Sequence, residues 1–162
     1  MGPMRRASLV LLFMVVAVAS CSSDPEPSDA ATPRGSGTPL SVHTSDGVVR
    51  FDVEVADDAQ ARAIGLMHRE ELAPFDGMAF VWDEPVHTSF WMKDTLIPLS
   101  IAFWDEQGRI VAILDMEPCR ADPCQTYDPG TSFVGALEVD RGRFTAEGIE
   151  VGDRIELAVA GR

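Results

Sequence analysis

The side chains with the chemistry to act on a substrate are Asp83, His87, Lys93, Asp94, Glu138 and Asp153. Lys93 leads them because it follows Phe90, Trp91 and Met92. An apolar setting disfavours the ammonium charge, which would turn the amine into a base or a nucleophile. It would need a carboxylate at hand, and Asp94 and Glu138 are the candidates. Lys93 and Asp94 are sequence neighbours, so in an extended segment their side chains point to opposite faces. Adjacency alone does not make them a catalytic pair. The chain contains no hydrolase elbow, zinc-protease helix or phosphate-cradling loop.

Two other chemistries compete with catalysis. Phe90, Trp91 and Trp104, with Trp82 nearby, offer flat apolar faces beside Lys93 and several carboxylates, a combination that suits carbohydrate, peptide or protein partners. The plainer expectation is that two of the three tryptophans are core. His87 and Met92, with His68, Met67, Met78 and Met116, carry donor types that suit copper. Methionine more often fills gaps in a core, so the sequence points to no metal and no cofactor. Cys119 and Cys124 read as a disulfide if the domain is exported. The alternative, a metal-binding or redox pair, lacks the second Cys/His pair that structural zinc requires.

These residues need a frame. Leu99, Ile101 and Phe103 alternate with smaller or polar residues, and 109–114 is rich in β-branched residues, so the two read as paired strands. Residues 105–108 are the turn, closed by Gly108. Pro98 lacks the amide hydrogen that a central strand needs, which sends residues 90–95 along the rim of the sheet with Trp91, Lys93 and Asp94. Upstream, Val49, Phe51, Val53 and Val55 alternate with polar residues, and 40–44 is their hairpin partner. Asp57 or Asp58 caps a helix over 59–68. Gly65 would cost it about 1 kcal/mol against Ala, so a close backbone approach or an early helix end is expected there. Leu66, Met67 and Leu72 are predicted to face the core. Further strands are predicted at 78–82, 136–139 and 154–159, with a turn or helical fragment at 143–147. The expected fold is α+β, mainly β: a small, partly closed β-barrel-like domain with a short helical insertion and residues 87–99 at one mouth.

The first 39 residues have a different character. Arg5 and Arg6 precede an apolar run at 7–18 that is too short to span a bilayer comfortably, and Val18-Ala19-Ser20-Cys21 follows. Residues 1–21 read as an export signal ending in a lipobox, with Cys21 the acylated new N-terminus. An uncleaved signal anchor with an incidental Cys is the alternative. Residues 22–39 hold no large apolar side chain and are dense in Ser, Pro, Gly and Asp, a composition that cannot fold and serves as a tether. Residues 40–162 form a single globular domain. The formal net charge of −13 repels phosphate backbones and excludes nucleic acid as a partner.

Arg62 with Gly65-Leu66-Met67 and Arg69, Gly77-Met78 with Phe80, Phe90-Trp91-Met92-Lys93 with Thr95 to Leu99, Pro118-Cys119, Cys124, Leu137-Glu138 and Gly152-Asp153 occur in an order that resembles the family known as domain of unknown function 192. The resemblance covers about residues 40–159 and implies a compact, mainly β fold with a small helical insertion, often exported, and no established activity. Three positions depart from the family pattern: Ala79 replaces a larger aliphatic, Asp94 an Asn, and Ser100 an Asp. The expectation for function is a lipid-anchored binding module on the extracytoplasmic side of the cell membrane or outer membrane. Its partner would be an envelope protein or a small ligand. A small enzyme using Lys93 with a carboxylate is the first alternative, and a copper-binding protein the second.

Overall fold

The computed structural model describes Gly2 and residues 37–158. The signal-like segment, Cys21 and the tether up to residue 36 lie outside the described residues. In chain order the described elements are β1 (Thr38–Thr44), β2 (Gly47–Ala56), α1 (Ala59–Ile64), β3 (Gly77–Val86), β4 (Phe90–Trp91), β5 (Leu99–Trp104), β6 (Ile110–Met116), β7 (Thr126–Tyr127), β8 (Phe133–Asp140), α2 (Arg143–Ala146) and β9 (Arg154–Leu157).

Seven strands form one curled, half-barrel sheet in the order β6-β5-β8-β3-β2-β1-β9, and β4 pairs with β7 in a separate two-stranded piece. The alternation read in 40–55 yields the β1–β2 hairpin, extended at its start because Thr38 pairs with Val53. The β2–β3 pair is parallel, so the chain must cross over between those strands. The 57–76 segment is that crossover. Asp58 caps α1 by accepting a hydrogen bond from the Ala61 amide at 2.7 Å, and Gly65 ends it at φ +48°. The early helix end anticipated for Gly65 holds, whereas what closes on it is a side chain and not a second backbone: a Cβ there would lie 3.3 Å from the Phe80 ring. The helix is therefore shorter than its sequence pattern predicts.

The strand expected at 136–139 is longer and more central than its sequence suggests. β8 pairs along its length with β5 on one side and with β3 on the other. Both of its faces are covered, which removes the wet/dry alternation that marks a surface strand. Its lower face joins a core to which all seven sheet strands contribute, among them Leu40, Phe51, Ala79, Trp104, Ile110, Leu137 and Ile155. Residues shared by every strand lie inside the curl. A second core, on the outer face, gathers Met78, Phe80, Ile101, Phe103 and Ala136 under Leu66, Leu72, Met92 and Tyr127. The edges of the sheet meet at one end: the Ile110 amide donates to Asp153 O at 2.8 Å, and the Ile155 amide to Gly108 O at 2.7 Å. These bonds partly close the barrel.

Candidate functional site

Glu138 is the outlier of the second core. It sits in the middle of β8 with Met78 opposite on β3 and Ile101 opposite on β5, so neither neighbour on its face of the sheet offers a hydrogen bond. Only 4% of the residue is exposed, and among the described residues no donor or cation pairs with its carboxyl. Burial alone pushes its pKa from 4.5 up to about 8. A buried carboxyl with no partner is costly as an anion, and at neutral pH Glu138 is mostly an uncharged acid that can donate a hydrogen bond. Its side chain lines a cavity of about 40 Å³, enough for a water molecule or a carboxylate-sized group.

The walls of the cavity come from two segments. Arg62, Gly65 and Met67 of the crossover form one, and Trp91, Lys93 and Thr95 form the other. Backbone bonds lock them together. The His68 amide donates to Asp94 O at 2.7 Å, and the Asp94 amide donates to Cys119 O at 2.8 Å. His68 and Asp94 both have positive φ, 63° and 53°. Asn and Asp tolerate that backbone better than most side chains, which gives a physical reason for Asp94 at a position where the resemblance leads one to expect Asn. Asp94 thus acts through its backbone and is not part of the cavity lining. Ser100 stands where the resemblance leads one to expect Asp; its hydroxyl donates to Asp115 at 2.5 Å and accepts from the Gly142 amide at 2.9 Å, away from the cavity.

Lys93 is held from outside. Its Nζ donates to Asp122 Oδ2 at 2.7 Å and lies 5.7 Å from the Trp91 ring centroid. The hydrogen bond to Asp122 raises its pKa, so the amine stays protonated and presents a fixed positive charge instead of the base that the sequence suggested. Asp122 belongs to the loop closed by the Cys119–Cys124 disulfide. A bridge spanning so few residues stabilises by about 2 kcal/mol through the unfolded state. Cys119→Ser/Cys124→Ser is expected to lower the unfolding free energy in urea by that amount, with a corresponding fall in the midpoint, and the oxidised wild-type chain should show the same drop on adding reductant. An unchanged midpoint in both would mean that the loop is held without the bridge.

A wider groove of about 310 Å³ adjoins the cavity, lined by Trp82, Thr88, Ser89, Phe90 and Trp91. Arg62, Ala63, Phe80, Phe90 and Trp91 line both spaces. Phe90 is fixed edge-on against Phe80 at 5.1 Å and Phe103 at 5.5 Å, while Trp91 is 51% exposed. Arg62 stands at the junction, its guanidinium 5.0 Å from the Trp82 ring centroid and its Nη1 donating to Val81 O at 2.8 Å. That bond uses one of the five N–H donors of a guanidinium. Trp91, Phe90, Lys93 and Glu138 are thus brought together, and Arg62 joins them. In the sequence Arg62 stands out only as a motif residue. Its spacing of three from Gly65 places it on the turn that ends at the cavity, but nothing local tells which strand that turn covers.

Other sequence candidates lie elsewhere. Trp104 is 5% exposed and packs on Gly135, where a Cβ would come within 2.0 Å of the indole; this corrects its placement on the binding surface. Met92 is buried in the second core with Met78 and Met116, whereas His87 is exposed and lies 3.6 Å from Asp128. The two copper candidates thus differ in burial. Among the described residues no three His, Cys, Asp or Glu side chains form a metal-binding group. Asp153 serves the β9 turn, accepting from the Glu150 amide at 2.8 Å, and Asp83 is exposed on β3. A larger cavity of about 430 Å³ lies on the other side of α1. Its charged residues, Glu54 and Arg69, form a bidentate pair at 2.5 and 3.1 Å and neutralise each other.

The model of the family DUF192, described as an uncharacterized ACR, matches residues 41–157. Two crystal structures are similar to this chain, each at 31% identity. One is a protein of Sinorhizobium meliloti 1021 described as a candidate transcription regulator, with a TM-score of 0.69, the match covering 75% of this chain and 93% of that one. The other is a protein of unknown function from Novosphingobium aromaticivorans DSM 12444, with a TM-score of 0.67 and coverage of 73% and 83%. No curated protein matches.

Proposed function

The chain belongs to the DUF192 family, and within that frame we propose that it is a lipid-anchored, extracytoplasmic binding module that seats a small ligand in the aromatic groove and reaches Glu138 with it. One observation carries this reading: a buried carboxyl without a hydrogen-bond partner opens, through a junction guarded by Arg62, onto a groove walled by tryptophan and phenylalanine. A volume near 300 Å³ suits a small molecule better than a flat protein interface. The signal-like N-terminus, Cys21 and a disulfide that persists in an oxidising compartment support the location. The regulator description of the Sinorhizobium protein is not extended to this chain, because a net charge of −13 opposes nucleic acid.

Native mass spectrometry of the full chain, purified gently from its own membranes with the cysteines unreduced, tests the proposal. A small-molecule adduct is expected on the wild type and is expected to be lost from Trp91→Ala. An adduct-free wild type, or one indistinguishable from Trp91→Ala, overturns the reading. A second reading has its own support. A carboxyl that titrates near neutrality is suited to general acid work, and Glu138 with Lys93 in one cavity would make the domain a small enzyme.

A further inference from the structure

Two cations and one uncharged acid line the same small cavity, and neither cation pairs with the acid. Arg62 is turned to Val81 and Trp82, and Lys93 to Asp122 and Trp91. On the sheet, Met78 and Ile101 flank Glu138 without charge. The inner space therefore has the guanidinium of Arg62 and the Asp122-paired ammonium of Lys93 in its walls, a hydrogen-bond donor for a floor, and an aromatic groove as its entrance.

We propose that the ligand is a small organic carboxylate whose anionic head enters the inner cavity between Arg62, Lys93 and Glu138 while its ring or apolar body lies in the groove against Trp91 and Phe90. The proposal rests on the binding-module reading above and adds the ligand class. The inner volume fits a carboxylate and the groove fits a single ring. A carboxylate accepts from the guanidinium and the ammonium through charge-assisted bonds. Its remaining lone pairs accept the proton that Glu138 carries below its raised pKa. A cationic ligand is disfavoured, because the Trp82 and Trp91 faces already carry Arg62 and Lys93 and a further cation would be repelled.

The test uses the full chain with sodium benzoate and its neutral isostere benzamide, read by calorimetry and by the tryptophan indole N–H signals in a nitrogen–proton correlation spectrum. Benzoate is expected to bind at pH 6 and to shift the Trp91 and Trp82 indole signals, with benzamide at least about tenfold weaker. Raising the pH to 9.5 deprotonates Glu138 while Lys93 stays charged, and is expected to weaken benzoate by about tenfold or more. Glu138→Gln, which keeps a donor at every pH, is expected to flatten that profile. Lys93→Met is expected to weaken benzoate at both pH values. Equal binding of benzoate and benzamide, or a pH profile that survives in Glu138→Gln, overturns the proposal. If the native adduct proves uncharged and is displaced from the groove by no carboxylate, the carboxylate class falls while the binding module stands.

Discussion

At pH 9 the Glu138→Gln chain will resist urea better than the wild type by on the order of 5 kcal/mol, and at pH 4 the two will be nearly equal. The sign follows from where the proton sits. The Glu138 carboxyl titrates near its ordinary 4.5 in the unfolded chain and at about 8 in the folded one, so between those values the folded chain holds a proton that the unfolded chain has lost. Stability therefore falls as pH rises through that window, is full below it, and changes no further above it. At about 1.4 kcal/mol per pH unit, the whole window amounts to the difference stated. Gln has the same shape and no charge at any pH, so subtracting its profile from that of the wild type cancels every other titrating group. A difference that does not vary with pH would mean that Glu138 is solvated in the folded chain, and the candidate site would lose its central feature.

Gly77→Ala is expected to destabilise the domain by about 3 kcal/mol or more. Gly77 begins β3 opposite Val139, and a Cβ there would lie 2.1 Å from the backbone oxygen of Glu138 and 3.1 Å from a Val139 methyl. The obstacle is backbone in the interior of the sheet, with β2 paired on the other side of β3, so no side chain can swing away to relieve it. Urea unfolding of the purified variant measures the loss, and the yield of folded chain reports it independently. A Gly77→Ala chain within about 1 kcal/mol of the wild type would show that β3 and β8 do not approach as closely as the register requires. Because the clash falls on the carbonyl of Glu138, the variant is also expected to displace that side chain and blunt the pH dependence described above.

The hairpins, a helix cap at Asp57 or Asp58, the irregularity at Gly65 and the Cys119–Cys124 pairing were legible in the sequence, because each depends on neighbours a few residues apart; the structure chose Asp58. Alternation along Val49 to Val55 marks a strand with one dry face, and Gly108 closes the separate turn between β5 and β6 at φ +76° wherever that hairpin is placed. The central strand was harder to read. Phe133, Gly135, Leu137 and Val139 are buried, but so are Ala136 and Glu138, and a strand covered on both sides loses the period that betrays it. Trp91 and Trp104 present the same side chain to a sequence reader. One is half exposed and the other seals against Gly135, a difference made by the partner strand.

Lys93 shows the same division in its chemistry. Its aromatic neighbours in the chain suggested a lowered pKa, yet Asp122, brought across by the disulfide loop, moves the shift the other way. The sequence by itself determined the main strands, the turns, the acidic composition, the disulfide and the family pattern, since these follow from local geometry and composition. Only the tertiary structure decided that Glu138 is buried with no partner among the described residues, that Arg62 and Lys93 share its cavity and that Met92 is buried while His87 is exposed. Desolvation and charge pairing depend on which distant strand or loop covers a residue, and that is set by packing across the whole sheet.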